Sequence, residues 1–329
     1  MRAIHSDDED RVGARWVLWR NALLSGFLNG EDELDVMEKH RLSLKPYRDE
    51  MAGLPQGCRL VPYGSPEYPI SVCDLEKPPP FLYVWGASLP TEAIACVGTR
   101  KATRWDEELT DQFVGELVEW GAHIASGGAI GIDIAAHRAA LKRGKPTTVV
   151  LPGGVDVAAP ARHRNDYEEV LQGGGTLVSL QPLQTQAFKS TFAPRNALLA
   201  ALSTAILVLR SGVDGGTMIT VSVAERLGRD IFALPGDPRD KTAEGCLELL
   251  RTGKAKPAWS ADHIITEKRA LVSQGPTDHL LDLIGESTDI NQLRQTSELG
   301  WERLQSLLFD LEIRGQITRF GDTIRSNFP

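Results

Sequence analysis

The sequence predicts an α/β protein: a Rossmann-like, doubly wound, mostly parallel sheet, with a small N-terminal helical domain and a C-terminal winged-helix domain. Three observations carry this. From residue 92 onward come six short runs rich in Val, Ile, Leu and Thr: "AIACVG", "HIAS", "TTVVLPGG", "TLVSLQ", "AILVLRS" and "DIFALPG". They are continuously apolar rather than alternating, so both faces are buried, as in a parallel sheet covered by helices. Between them lie helix-like stretches, clearest in the apolar stripe Leu109, Phe113, Leu117, Trp120.

The elements follow in order. Residues 1–55 read as a helical domain, because Val12, Trp16, Leu23, Leu24, Leu28, Leu34 and Met37 recur at helical spacing. Residues 56–91 are rich in Pro and Gly ("GSPEYP", "EKPPP") around one strand-like run, "FLYVWG". They read as a connecting segment with little structure of its own. The sheet domain spans 92–264, with further helices starting near Ile132, Arg162, Pro194, Thr217 and Glu244. The polar residues 265–278 read as a linker. In 279–329, "HLLDLIG", "DINQLRQTS" and "GWERLQSLLFDLEIRG" read as three helices, the last closed by Gly315. "QITRFGDTIRS" reads as two strands around Gly321, which completes a winged helix.

Composition narrows the function classes. A hydrophobic fraction of 42% and a charged fraction of 24% fit a soluble globular protein. There is no run of about 18 apolar residues, so no membrane partner is expected. "MRAIHSDDEDR" lacks the apolar core of a secretory signal, and the cytoplasm is the expected location. Cys58, Cys73, Cys96 and Cys246 form no CxxC pair, which argues against a disulfide scaffold or a zinc site. The net charge of -8 counts against nucleic-acid binding in bulk, but local basic density decides such binding.

In open parallel sheets, ligands sit outside the carboxyl ends of the strands. The loops there are 98–104, 126–131, 152–164, 181–196, 211–217 and 235–241. They concentrate Arg100, Lys101, Arg104, Arg162, Arg164, Lys189 and Arg195. Positive charge, glycine and helix N-termini together favour phosphate. A dinucleotide fingerprint ending at Gly131 would need glycine where Ser126 stands, and no GK[ST] occurs. NAD or ATP is therefore not expected, nor any other cofactor. Asp133 and His137, four apart on a helix, form either a metal or acid–base pair or plain scaffolding. The absence of a second ligand cluster favours scaffolding. The long connection 181–196 interleaves Phe188, Lys189, Phe192, Arg195 and Asn196. Cations that track phosphates and aromatic faces that stack on bases suit single-stranded nucleic acid. The alternative is that Phe188 or Phe192 only packs the loop down.

The ordered set "VGTR", "SGGAIGIDIAAH", "VLPGGVD", "FAPRNALLAALS", "GGTMITVSVAE" and "FALPGDP" resembles the DprA/Smf family of DNA-processing proteins, from about residue 60 to 256. The resemblance implies a non-enzymatic role: binding and protecting single-stranded DNA, and loading RecA onto it in natural transformation and recombination, usually as a homodimer. It implies that Arg100 grips phosphate and that Lys189 and Phe192 contact DNA. It implies that Ser126, Gly127 and Gly128 offer N–H groups and a hydroxyl to phosphate. Arg195 and Asn196 would be contacts or loop supports, and Gly98, Thr99 and Lys101 complete the site. The accessory domains match in position, which makes the N-terminal one SAM-like. The chain departs from the family pattern at Ala159-Pro160, at Leu180 and at Gly215 to Met218.

Two rival functions remain in view. One is a Rossmann-like nucleotide phosphoribohydrolase with Glu225 beside the ribose. The other is a protein-interaction scaffold with a vestigial pocket. Residues 279–329 carry eight acids against five arginines, a net charge of -3, so this domain is expected to bind mainly protein.

Overall fold

The computed structural model describes residues 6–21, 33–265, 280–281, 283–284, 287–297, 301–313, 316–321 and 323–327. The chain divides into two compact units, Met1–Ala261 and Asp262–Pro329.

The first unit is the predicted α/β body. Its strands are β1 (Cys58–Pro62), β2 (Phe81–Gly86), β3 (Ile94–Gly98), β4 (Ile124–Ser126), β5 (Thr147–Leu151), β6 (Thr176–Ser179), β7 (Ala205–Arg210), β8 (Asp230–Ala233) and β9 (Lys256–Pro257). They form a nine-stranded sheet in the order β1-β2-β6-β5-β4-β3-β7-β8-β9. From β6 to β9 all neighbours are parallel. Every residue of β5 and β6 is buried, as expected of strands covered on both faces.

The crossovers are α4 (Arg104–Glu119), α5 (Ile132–Lys142), α6 (Arg164–Gln172), α7 (Lys189–Leu202), α8 (Thr217–Arg226) and α9 (Glu244–Arg251). One core gathers Leu198, Leu199, Val221, Ala224, Cys246 and Leu249 of α7, α8 and α9 against Ala95, Val97, Ile206 and Val208. On the other face, Ile134, Tyr167 and Val170 of α5 and α6 pack on Val149, Leu151 and Leu177. The chain winds outward from β3 to β6, then returns through α7 to start again at β7. The direction reverses between β3 and β7, which makes the carboxyl edge beside them the place for a ligand.

Residues 56–91 differ from expectation. Instead of a loose connection they supply β1 and β2, which pair antiparallel with each other, while β2 pairs antiparallel with β6. The first four residues of β2 are buried. Its partner β1 is a half-exposed edge strand, and such a strand leaves no apolar run to read. The N-terminal helices α1 (Ser6–Arg20), α2 (Glu33–Lys39) and α3 (Lys45–Ala52) close over this edge. Trp16, Val17, Leu18, Val36, Met37 and Tyr47 share one core with Phe81 of β2. Trp16 Nε1 also donates to the Tyr83 hydroxyl at 2.7 Å. Leu23, Leu24 and Leu28, the residues 265–278 read as a linker (save Ile265) and Gly315 lie outside the described residues.

The second unit has α10 (Ile290–Thr296), α11 (Trp301–Ile313) and the strands β10 (Ser287–Asp289), β11 (Ile317–Phe320) and β12 (Thr323–Ser326). Leu280, Leu281, Leu283 and Ile284 are helical. The two strands around Gly321 pair antiparallel as expected, and β10 joins as a third against β12. A core of Leu280, Ile284, Leu293, Leu304, Leu308, Leu311, Ile317 and Ile324 holds the unit together.

Candidate nucleic-acid interface

The loops after β3, β4, β5 and β6 meet over a cleft of about 200 Å³, lined by Arg100, Ala129, Ile130, Ala159, Pro160, Ala187, Phe192 and Arg195. Its floor is built from the glycine-rich turn after β4. Gly127 has no room for a side chain: a Cβ there would strike the Arg195 guanidinium and come within 2.7 Å of Asp133 Oδ2. Gly128 adopts φ +66°, in the left-handed region that favours glycine, and a Cβ would lie 2.6 Å from the Tyr167 hydroxyl. The Gly128 carbonyl accepts from His163 Nδ1 at 2.9 Å and from Tyr167 Oη at 3.0 Å.

At this turn the Ser126 hydroxyl and the Gly127 N–H already have partners within the chain. Ser126 is fully buried and its hydroxyl donates to the Cys96 carbonyl at 2.6 Å, bracing β4 to β3 rather than facing a ligand. The anion at the turn is the chain's own. Asp133, on the first turn of α5, is 7% exposed and its Oδ2 accepts from the Ala129 N–H at 3.4 Å. The Gly127 N–H is directed to the same carboxylate. Burial pushes the Asp133 carboxyl up, against the opposing pull of Arg195, of the Ala129 and Gly127 amides and of Arg100.

Asp133 in turn positions Arg195. The Arg195 side chain is 5% exposed, and its Nη1 approaches Asp133 Oδ2 at 3.8 Å. Its Nε has no hydrogen-bond partner among the described residues. A guanidinium carries five donors, and a buried donor left unpaired costs about 1–3 kcal/mol. Arg195 therefore stands as a desolvated cation on the cleft wall. Above it lies Phe192, half-buried, its ring centroid 5.8 Å from the Arg195 guanidinium carbon and 5.1 Å from that of Arg100. The ring faces attract both cations and hold two like charges near one another.

The expected loop 181–196 is shorter than the sequence implies. Helix α7 begins at Lys189, five residues before Pro194, because Thr191 and the Phe188 backbone exchange hydrogen bonds and close the first turn. Lys189, Phe192 and Arg195 thus recur every three residues along a helix. Lys189 is exposed at the N-terminus of α7, where the helix dipole also favours anions.

The remaining predicted residues divide. Arg100 and Lys101 are exposed. Thr99 is occupied: its N–H donates to the Arg210 carbonyl at 2.7 Å and its hydroxyl accepts from the Lys101 N–H at 3.1 Å. The Gly98 carbonyl accepts from Thr217 Oγ1 at 3.1 Å, and a Cβ on Gly98 would clash with Ile132. Asn196 is buried and donates to the Gly216 carbonyl at 3.2 Å, tying α7 to the loop after β7. Gly98, Thr99 and Asn196 hold the loops in place. Arg100, Lys101, Lys189 and Arg195 offer charge.

The helical pair separates as scaffolding. His137 Nδ1 lies 2.9 Å from Thr147 Oγ1 in the interior, while Asp133 faces Arg195. Among the described residues no cluster of three or more His, Cys, Asp or Glu could hold a metal. Sequence reasoning missed the apolar walls Ala129, Ile130, Ala159, Pro160 and Ala187. It also missed the Asp133–Arg195 pairing, because neither leaves a pattern in the chain. Glu225, the carboxylate of the rival enzyme, sits near the C-terminal end of α8 and pairs with Lys254 at 3.0 Å. A helix that starts at the carboxyl edge of the sheet ends at the opposite edge, so Glu225 is remote from the cleft.

Comparison with known proteins agrees with this architecture. Protein Smf of Synechocystis is 33% identical over 216 residues, covering 64% of this chain and 52% of that protein. DNA processing protein DprA of Bacillus subtilis is 32% identical over 215 residues, covering 64% of this chain and 72% of its own. The match spans about half the length of the Synechocystis relative. Among solved structures, DNA processing protein A of Streptococcus pneumoniae superposes with a TM-score of 0.65 at 25% identity, over 78% of this chain and 93% of the other. The Helicobacter pylori protein, described for its single-stranded DNA binding mode, gives a TM-score of 0.56 at 25% identity, over 65% and 96%. Residues 59–269, which contain β2 to β9, all but the first residue of β1, and the whole cleft, match the DNA recombination-mediator protein A family, and the chain belongs to that family.

Proposed function

We propose that this chain binds single-stranded DNA in the cleft between Arg100, Lys189 and Arg195, without catalysis. The observation that carries this is the Arg195 guanidinium, held by Asp133 on the wall of a cleft whose rim carries exposed cations. A phosphate in the cleft meets the charge of both Arg100 and Arg195, which line it. Charge-assisted bonds of this kind contribute about 1.5–3 kcal/mol each. The apolar walls and Phe192 suit the uncharged parts of a nucleotide. The Helicobacter pylori relative's single-stranded DNA binding supports the same ligand here.

The family further supports a mediator that protects the strand and loads RecA recombinase onto it, acting as a homodimer in the cytoplasm during transformation or recombination. The second unit is read as a winged helix that binds mainly protein. No helix among the described residues is long and apolar enough to cross a membrane. A gel-shift titration with single- and double-stranded oligonucleotides at two salt concentrations tests the binding. Preference for the single strand, with affinity falling steeply as salt rises, is expected. Equal or absent binding contradicts it. RecA filament assembly on coated single strands, with and without the protein, tests the loading step.

A further inference from the structure

The chain between β6 and Lys189 is fixed residue by residue before it reaches the cleft. The Leu183 N–H donates to Glu50 Oε1 at 2.9 Å. The next N–H, of Gln184, donates to both carboxylate oxygens of Asp156, at 2.9 and 3.0 Å. The Thr185 carbonyl then accepts from the Gly154 N–H at 2.8 Å. Gly153 and Gly154 let the segment lie this close. A Cβ on the first would come within 2.7 Å of the Thr185 carbonyl oxygen, and one on the second within 2.6 Å of that of Pro182. Gln184 stands at φ +59°, in the left-handed region, although it is not glycine. A residue keeps such a conformation where its surroundings over-determine it. Ala187 then lines the cleft, and Lys189 opens α7.

One of these ties comes from far along the chain. Asp156 and Gly154 belong to the loop after β5, whereas Glu50 belongs to α3, 133 residues before Leu183. Glu50 is itself held. The Tyr83 hydroxyl is directed to its carboxylate and accepts from Trp16 Nε1 of α1 at 2.7 Å. The Leu183 side chain packs on the core that contains Tyr83, as does Trp19 of α1.

We infer that Glu50 is a positioning residue of the DNA site: through the Leu183 N–H it holds the turn at Gln184, and with it the start of α7 and Lys189, at the cleft. The N-terminal helices thereby set the affinity of a site that lies on other elements. The inference rests on the single-stranded DNA reading and deepens it. Without Glu50, Asp156 and Gly154 tie the strained turn from one side only. Lys189 then has to be ordered as the strand binds, and that ordering costs affinity which a fixed loop does not lose. The charge of Glu50 acts in the opposite sense, because an acid repels a phosphodiester. The sign of the effect therefore separates positioning from electrostatics.

Anisotropy titrations of full-chain variants with a labelled thymidine oligonucleotide test this. Glu50→Ala should weaken binding about fivefold. Glu50→Gln removes the same charge but keeps an oxygen that accepts from Leu183, and it should stay within about twofold of the unmodified protein. In a Lys189→Ala background, adding Glu50→Ala should cost less than about twofold, because the residue that Glu50 positions is already gone. Amide hydrogen exchange reads the same tie without DNA. In Glu50→Ala the amides of 183–187 should exchange at least about tenfold faster, while those of β5 and β6 keep their protection. A Glu50→Ala protein that binds as tightly as the unmodified one, or more tightly, would overturn the assignment. So would a loss that persists in full beside Lys189→Ala, or exchange that quickens across the whole sheet. DNA binding itself would then stand. An unmodified protein that does not bind the oligonucleotide would overturn the single-stranded DNA reading and this inference with it.

Discussion

The Ser126–Gly131 turn and the first two turns of α7 meet at the same cleft, and both have the makings of a phosphate site. The turn has glycines, backbone amides and a following helix. Helix α7 has Lys189, Arg195 and its own N-terminus. In the turn, the amides of Gly127 and Ala129 already address the Asp133 carboxylate. On α7, the Arg195 guanidinium is held by that carboxylate at 3.8 Å and lines the cleft. A glycine-rich turn is thus no proof of a ligand phosphate when the next helix brings its own anion. The anion instead fixes a buried cation, and the cation is what remains for the ligand.

The sharpest way to break this contrast is to remove Asp133. Asp133→Ala leaves a buried guanidinium uncompensated and should cost about 3–5 kcal/mol in denaturant unfolding. The double variant Asp133→Leu with Arg195→Met should regain most of that stability, while single-stranded DNA binding stays weak. An Asp133→Ala protein as stable as the original would mean that the turn does not depend on its internal anion.

On the exposed side the effect should fall on binding alone. Arg100→Ala is expected to lower single-stranded DNA affinity by about 1.5–3 kcal/mol with little change in melting temperature. The slope of log affinity against log salt should flatten by about 0.7 for each phosphate that is no longer neutralised.

The polar row behind the turn should do the reverse. Burial pulls the His137 imidazole down to about 3 from an ordinary 6.5. The unfolded chain therefore takes up this proton first as pH falls. The stabilising contribution is fully present above pH 6.5 and is lost progressively below it. Between pH 7 and pH 5 the loss is about 2 kcal/mol from this group. His137→Gln should flatten that part of the stability–pH curve without changing DNA affinity at pH 7.

The smallest effect is expected from the second unit. Deleting 279–329 should change single-stranded DNA affinity by less than about threefold, in keeping with its net charge of -3. Loss of most of the affinity would place a DNA contact there.

The central sheet was legible because parallel strands buried on both faces are continuous apolar runs, and the loops after them fall where those runs stop. β1 was not legible: "CRLVP" is half-exposed at a sheet edge, so its sequence is mixed. The start of α7 was misplaced because Pro194 marks a helix start in sequence, whereas the Thr191–Phe188 bonds begin the helix a turn earlier. The basic residues of the site were visible as residue types, and their loops were assigned from the strand ends. Their division into working charge and internal support was not visible. Ser126, Thr99 and Asn196 have the same donors and acceptors as ligand-binding residues, and only their partners in space show which of those groups are already used.

The central claim is that phosphate charge is met by cations on this cleft rather than by the protein's overall field. A fluorescence anisotropy titration of a labelled single strand across a salt series, with the unmodified protein and Arg100→Ala/Lys189→Ala, addresses it directly. The unmodified protein should bind at micromolar or tighter levels, with affinity falling steeply as salt rises, and the double variant should lose most of the affinity and about 1.4 of the slope. The same affinity and the same slope in both proteins would contradict it.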